Sequence, residues 1–374
     1  MADKSVGSAE ASGRSMSSRE RVLATLAGQP VDRIASDFRA EKEVFEKLQR
    51  HLGLPDEESV RRWAKSDFRD LGFICNTGGY GGYNSFGWKD AVREGGILED
   101  LWGVQRKKVL YDGGTYIDII RHPLKAAQGL DDLRKYVFPD PRKIFDFSDL
   151  PDAVAAVNRE EERFILIEGE SLFDRCWALR GIQEFMMDLL TDEDAALHLI
   201  EQHARFFYEY TRMLLEKAKG RVDAIGIYND LGSQNGMMIA PETYRKFLKE
   251  PQRRFIQMVK EHGARIFYHS CGGITAVVED LIEIGVDILD PLQFPAMRIS
   301  PARLMEMCGG RITLHGGVDT QFLLSHGTPG EVRGEIQSLK RILGQGGRYI
   351  VSCSHLLQVD VPLANIEAIV AEVN

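Results

Sequence analysis

The sequence lacks most of the patterns that settle a protein's class at a glance. Its 374 residues hold five cysteines, Cys75, Cys176, Cys271, Cys308 and Cys353, an odd number at wide spacing with no Cys-x-x-Cys pair. That excludes a disulfide framework and fits a reducing cytosol, so a cytoplasmic location is expected. No uninterrupted apolar run approaches the roughly 18 residues of a membrane span. Basic residues are the minority, 47 Lys and Arg against 56 Asp and Glu, for a formal net charge of −9. Nucleic acids and anionic membranes want the opposite balance, so neither is an expected partner. The short basic pairs Arg61-Arg62 and Arg253-Arg254 read as solvated helix faces. No Gly-x-Gly-x-x-Gly follows an apolar run, which removes the fingerprint of a dinucleotide-binding open sheet. Residues 1–17 lack an apolar stretch and are expected to form a disordered tail rather than a signal peptide.

What is present is a rhythm. A helix is expected over SRERVLATLAGQP from Ser18, stopped by Gly28 and Pro30. Residues 19–150 are otherwise mixed. They include the glycine-rich stretch NTGGYGGYNSFGW (76–88), a surface loop or a substrate lid. From residue 160, six short β-branched apolar runs alternate with helical sequence: RFILIEGE (163–170), VDAIGIYNDLG (222–232), RIFYHSCGG (265–273), VDILDPLQ (286–293), RITLHGGVD (311–319) and RYIVSCSHLL (348–357). Pro241 sits where a first-turn helix proline belongs. Strands apolar on both faces and alternating with helices imply a parallel α/β sheet, either doubly wound or closed as a (β/α)8 barrel. RIASDF (33–38) and DLGFICN (70–76) would supply the two further strands that close a barrel.

Each run hands over to a polar set at its C-terminal end: Glu168 and Glu170; Asn229 and Asp230; His269 and Cys271; Asp290 and Gln293; His315 and Asp319; Cys353 and His355. In a barrel these ends converge on the active-site face. His269 and Cys271, at i and i+2, project to one side of an extended chain and offer zinc an imidazole and a thiolate. Gly272 and Gly273 let the backbone turn behind them. Cys353 and His355 form a second such pair, either member of which supplies a third ligand. Asp230 orients substrate or caps its turn. His315 is a general acid or a hydrogen-bonded core histidine. Arg39, Arg69 and Lys89 hold a substrate carboxylate or make ordinary ion pairs. Cys176 and Cys308 fall in helical sequence and read as buried apolar residues.

From about residue 18 to the C-terminus the chain resembles the uroporphyrinogen decarboxylase superfamily. The likeness rests on RERVLATLAGQPVDRI, MMIAPETYRKFLKEPQRRFIQMVKEHGARIFYHSCGGI, IGVDILDPLQ, RITLHGGVDTQ and VPLANIEAIV, in that order. It implies one (β/α)8 TIM barrel over residues 18–374. The segment Met-Arg-Gln-Ala-Gly-Arg-Tyr of true decarboxylases is missing, and RIASDFRAEKEVF offers Asp37 and Arg39 alone. The chain is therefore more similar to the zinc- and cobamide-dependent methyltransferase branch, which binds zinc through His-x-Cys and a cysteine of the last strand-end loop. His269 and Cys271 match the pair. The third position, counted back from Pro362, falls on His355, with Cys353 as the alternative ligand.

The resemblance implies an enzyme that moves a methyl group between a small substrate and a corrinoid carried on a partner protein. Zinc would be held by His269, Cys271 and His355. Asp230 and His315 are the catalytic candidates, and Asp37, Arg39, Glu168 and Gln293 the substrate or corrinoid contacts. The expected partners are a corrinoid-binding protein, a small methyl donor or acceptor and, in a homodimer, a second copy of the chain. The glycine-rich stretch 76–88 is expected to form part of the surface over which the corrinoid domain docks. The alternatives are a metal-free decarboxylase anchored by Asp37 and a non-catalytic corrinoid- or metal-binding module.

Overall fold

The computed structural model describes residues 15–72, 91–111 and 114–373. Most of the expected tail, Cys75, Lys89 and the stretch 76–88 lie outside the described residues. The first helix, α1 (Ser18–Ala27), begins where expected because Ser17 and Glu20 form a reciprocal capping box. It ends on Gly28, whose φ of 66° is left-handed.

Eight parallel strands follow: β1 (Ala35–Ser36), β2 (Phe68–Asp70), β3 (Phe164–Glu170), β4 (Ala224–Tyr228), β5 (Arg265–His269), β6 (Ile288–Asp290), β7 (Thr313–Val318) and β8 (Tyr349–Cys353). Each pairs with its sequence neighbour from β2 to β8, and β8 returns to pair with β1 through Ala35↔Ile350. The last seam, between β1 and β2, is joined by the backbone N–H of Asp67 donating to Ser36 O at 2.9 Å and by the Asp67 carboxylate accepting from Ser36 N at 3.0 Å. The sheet is thus a (β/α)8 barrel, as expected. The two early strands are shorter than their sequence runs, and β2 begins two residues before DLGFICN.

Period-two alternation sorts the strands' side chains. Ala35, Phe68, Phe164, Leu166, Ala224, Phe267, Ile288 and Ile350 fill the interior, and Val22 and Leu26 of α1 join them from below. The intervening residues pack outward under the helices in a much larger apolar cluster. The barrel is therefore floored by α1 and filled with apolar side chains. Its polar groups sit above that filling, at the C-terminal strand ends.

The mixed stretch between β2 and β3 contains an antiparallel four-stranded sheet that the sequence reading did not anticipate, with strands Ala91–Arg93, Ile97–Glu99, Gln105–Tyr111 and Gly114–Arg121. Fully buried Asp100 accepts from Arg106 at 2.8 Å, and Arg175 of α2 (Leu172–Arg180) comes within 3.5 Å of the same carboxylate. This ionic cluster fastens the insertion to the barrel. Cys176 and Cys308 are buried in helices, as expected. Among the described residues, no helix is long and apolar enough to cross a membrane.

Candidate active site

His269 ends β5 pointing inward, two residues above Phe267. Its Nδ1 lies 2.6 Å from Asp290 Oδ2, at the end of the adjacent strand β6. A carboxylate there accepts the Nδ1 proton and leaves Nε2 to face the barrel mouth. Cys271 follows on the same side, with Sγ 3.5 Å from His269 Nε2. Asp230, just past β4, accepts from Cys271 N at 2.9 Å, and its Oδ1 stands 3.7 Å from His269 Nε2. Ligand atoms from these three residues all lie within 4.8 Å of one another. The tight turn depends on Gly272, whose φ is 81° and where a Cβ would lie 2.4 Å from the backbone of Gly232.

Beneath this trio lies a buried ionic layer centred on Asp290. Arg39 donates to both of its oxygens, at 3.0 and 2.5 Å, and His315 Nδ1 lies 2.6 Å from Oδ1. Asp37 completes the layer, 3.3 Å from His315 Nε2 and 3.5 Å from Arg39 Nε. Burial opposes ionisation here, but Arg39, His315 and His269 together hold the Asp290 carboxyl well below its usual range. Against the same desolvation, Asp290 and Asp37 raise the His315 imidazole, and Cys271 and Asp290 raise His269. Asp37 and Arg39, expected as substrate contacts, are thus committed to one another and to the layer that orients His269. His315, offered as a general acid or a core histidine, is fully buried between two carboxylates and two phenylalanine edges, those of Phe68 and Phe267.

The remaining candidates fall as follows. Gln293 accepts from Gly272 N at 2.6 Å and donates to Ser354 O at 3.0 Å, so it ties the β5 turn to the last strand-end loop. A cavity of about 370 Å3 opens beside it, against Phe294, Gly317, Asp319 and Ser354. His355 is half-buried in that last loop. Burial lowers its pKa, and the positive charges of His269 and Arg39 lower it further. It is not among the three residues that converge within 4.8 Å; Asp230 takes that place. Cys353 belongs to the outer apolar cluster, on the opposite face of β8 from Ile350, and burial pushes its thiol up to about 12. Period-two alternation sends it to the helices. Arg69 makes an ion pair with Glu58 at 2.7 Å, and Asp319 caps its own turn by accepting from Gln321 N at 3.0 Å.

The second wall of the mouth was not foreseen. Asp70 at the end of β2 accepts from Gly72 N at 2.8 Å and lies 3.3 Å from Tyr228 Oη; burial pushes its carboxyl up to about 6. Asp174 of α2 accepts from Trp177 Nε1 at 3.0 Å, and burial together with Asp230 raises it to about 7. Nothing in the local sequence separates these two aspartates from the other acids of the chain.

Residues 152–374 match the model of the uroporphyrinogen decarboxylase (URO-D) family. The chain belongs to that family. A uroporphyrinogen decarboxylase of Legionella pneumophila is 24% identical over 192 residues, covering 50% of this chain and 51% of its own. The chain therefore spans about half the length of those curated relatives. Methylcobamide:CoM methyltransferase MtbA of Methanosarcina mazei is 22% identical over 258 residues, covering 67% of this chain and 69% of its own. A solved methyltransferase from Methanosarcina mazei superposes with a TM-score of 0.69 at 18% identity, covering 96% of this chain and 98% of its own. At that identity the superposition establishes the barrel fold alone, over nearly the whole chain.

Proposed function

We propose that the chain is a zinc-dependent methyltransferase. It would move a methyl group between a small substrate and a corrinoid carried on a partner protein. The observation that carries this reading is the convergence of His269, Cys271 and Asp230 above Asp290. The donor set is one imidazole nitrogen, one sulfur and one carboxylate oxygen. It suits zinc, and leaves a position open for substrate as catalytic zinc sites do. His355, the third ligand expected from the sequence, is not one of the three residues that converge.

Zinc held there would polarise the heteroatom that bears or receives the methyl group. The chain's own residues do the rest. Asp290 fixes the His269 tautomer, Arg39 and His315 fix Asp290, and Asp230 secures the turn that carries Cys271. The apolar barrel filling beneath keeps water from entering below. The decarboxylase reading gains no support from Asp37, which is bound within the ionic layer.

The test is metal analysis of purified wild type and Cys271→Ser, followed by methyl exchange with free methylcobalamin. The expected result is about one zinc per wild-type chain and loss of it in the variant. No metal above background in the wild type would sink the reading. Metal without methyl exchange for any small thiol or methyl ether would favour the binding module.

A further inference from the structure

Glu168 is the one candidate whose surroundings do not explain it structurally. It follows Phe164 and Leu166 on the inner face of β3 and is 5% exposed. Among the described residues its carboxyl makes no hydrogen bond and no ion pair. Glu170, two positions on, contrasts with it: its carboxyl accepts from Leu172 N at 2.7 Å and Asn229 Nδ2 at 2.8 Å.

The difference originates in a bulge. The β3–β4 register slips between Glu168 and Glu170, so Glu168 opposes Gly226 and Glu170 opposes Ile227. Two residues that alternation would place on one face are parted, Glu168 to the mouth and Glu170 to the helix layer. Opposite Glu168, Gly226 leaves room for the Tyr228 ring, which a Cβ there would meet at 2.4 Å. That ring lies 5.3 Å from the His269 ring. The space between Glu168 and the metal-site residues is thus walled by an aromatic face.

The charged groups facing Glu168 are Asp70 from β2, Asp174 and Arg175 from α2, and His269 from β5. Arg175 is turned to Asp100 and lies over the Trp102 ring at 5.0 Å. A carboxyl buried without donors, beside two other acids, is held in its neutral form. Burial accordingly pushes it up to about 8. A buried neutral acid is a proton donor, and among the described residues it has no recipient.

We infer that Glu168 is the acid that protonates the leaving oxygen of the substrate, and that the substrate is a methyl ether. This rests on the methyl-transfer reading above. The methyl–oxygen bond breaks as its electron pair goes to oxygen. A reduced, Co(I)-level corrinoid supplies the pair that forms the methyl–cobalt bond. The oxygen takes the Glu168 proton and leaves as an alcohol or phenol, and Glu168 becomes a carboxylate. A thiol acceptor would need a base at this position instead.

The experiment uses zinc-loaded wild type and Glu168→Gln with free cob(I)alamin and two probes, methyl phenyl ether and methyl 4-cyanophenyl ether. Formation of methylcobalamin is followed. General-acid loss should slow the phenyl ether about 10²–10⁴-fold. The cyanophenyl ether, whose phenolate leaves without help, should be slowed far less. Equal slowing of both ethers overturns the inference, as does a zinc-replete wild type that demethylates neither. A second readout needs no turnover. The infrared spectrum of wild type at neutral pH should contain a protonated-carboxyl band that is absent in Glu168→Gln and shifts when methyl phenyl ether binds. If that difference is missing, the inference fails while the zinc site stands. If zinc is missing from wild type, the broader reading fails first.

Discussion

At the scale of the residue, Asp290 is the most consequential side chain. It receives two histidines and one arginine in the barrel interior and has no exposure to water. Asp290→Asn removes the charge that Arg39 and His315 share, and leaves the two buried groups with the longer contacts to Asp37. Breaking a buried pair in this way costs about 3–5 kcal/mol, which denaturant unfolding would register. It should also weaken zinc binding about 10–100-fold, because the carboxylate behind a metal-ligating histidine sets its orientation and basicity. Competitive chelator titration would measure that, and unchanged zinc affinity would sever Asp290 from the site. His269 and Cys271 were legible in the sequence because two residues two apart at a strand end must share a side. Asp290 was visible as a strand-end acid, yet its role was not, since nothing local says that three cations will meet it. Asp70 and Asp174 were illegible for the same reason: their raised pKa values come from burial in the assembled barrel and from a distant acid, Asp37 for the first and Asp230 for the second.

At the scale of the element, the bulge in β3 decides which glutamate faces the chemistry. Gly169 occupies it, and a Cβ there would lie 2.3 Å from Ile225 Cγ2 and 2.9 Å from Thr211 Oγ1. Gly169→Ala should therefore destabilise the fold by about 1–3 kcal/mol, the usual result of forcing atoms into a packed layer. It should also alter the environment of Glu168. Thermal unfolding of the variant and the carboxyl infrared band would show both effects, and a neutral result would mean the strand absorbs the methyl group without moving. Six of the eight strands could be read from the sequence because each is a short apolar run between helices. The first two could not be bounded, since only two or three of their residues pair. The insertion over 91–121 was missed, although the Asp112-Gly113 step between two alternating runs is a hairpin signal. The bulge has no sequence signature beyond a glycine among β-branched residues.

At the scale of the whole molecule, the buried acids set a pH dependence. Glu168 and Glu170 each titrate near 8 in the folded chain, against an ordinary 4.5. Between these values the folded state binds protons that the unfolded state has released, so stability falls as pH rises through that window. Each group contributes up to a few kcal/mol to that slope. Glu168→Gln removes one of the two, so the decline in melting temperature from pH 5 to pH 8 should be shallower than in wild type. Parallel curves would show that Glu168 is already ionised when folded. The floor of the barrel carries a consequence of another kind. Val22 and Leu26 of α1 pack in the same cluster as Ile350 of β8. The chain's first helix therefore emerges from the ribosome some 330 residues before the strand that completes its seat. At about 5–20 residues per second that is an interval of some tens of seconds. During it α1 has an apolar face and no finished home, so nascent chains stalled before β8 should be the ones that a chaperone holds.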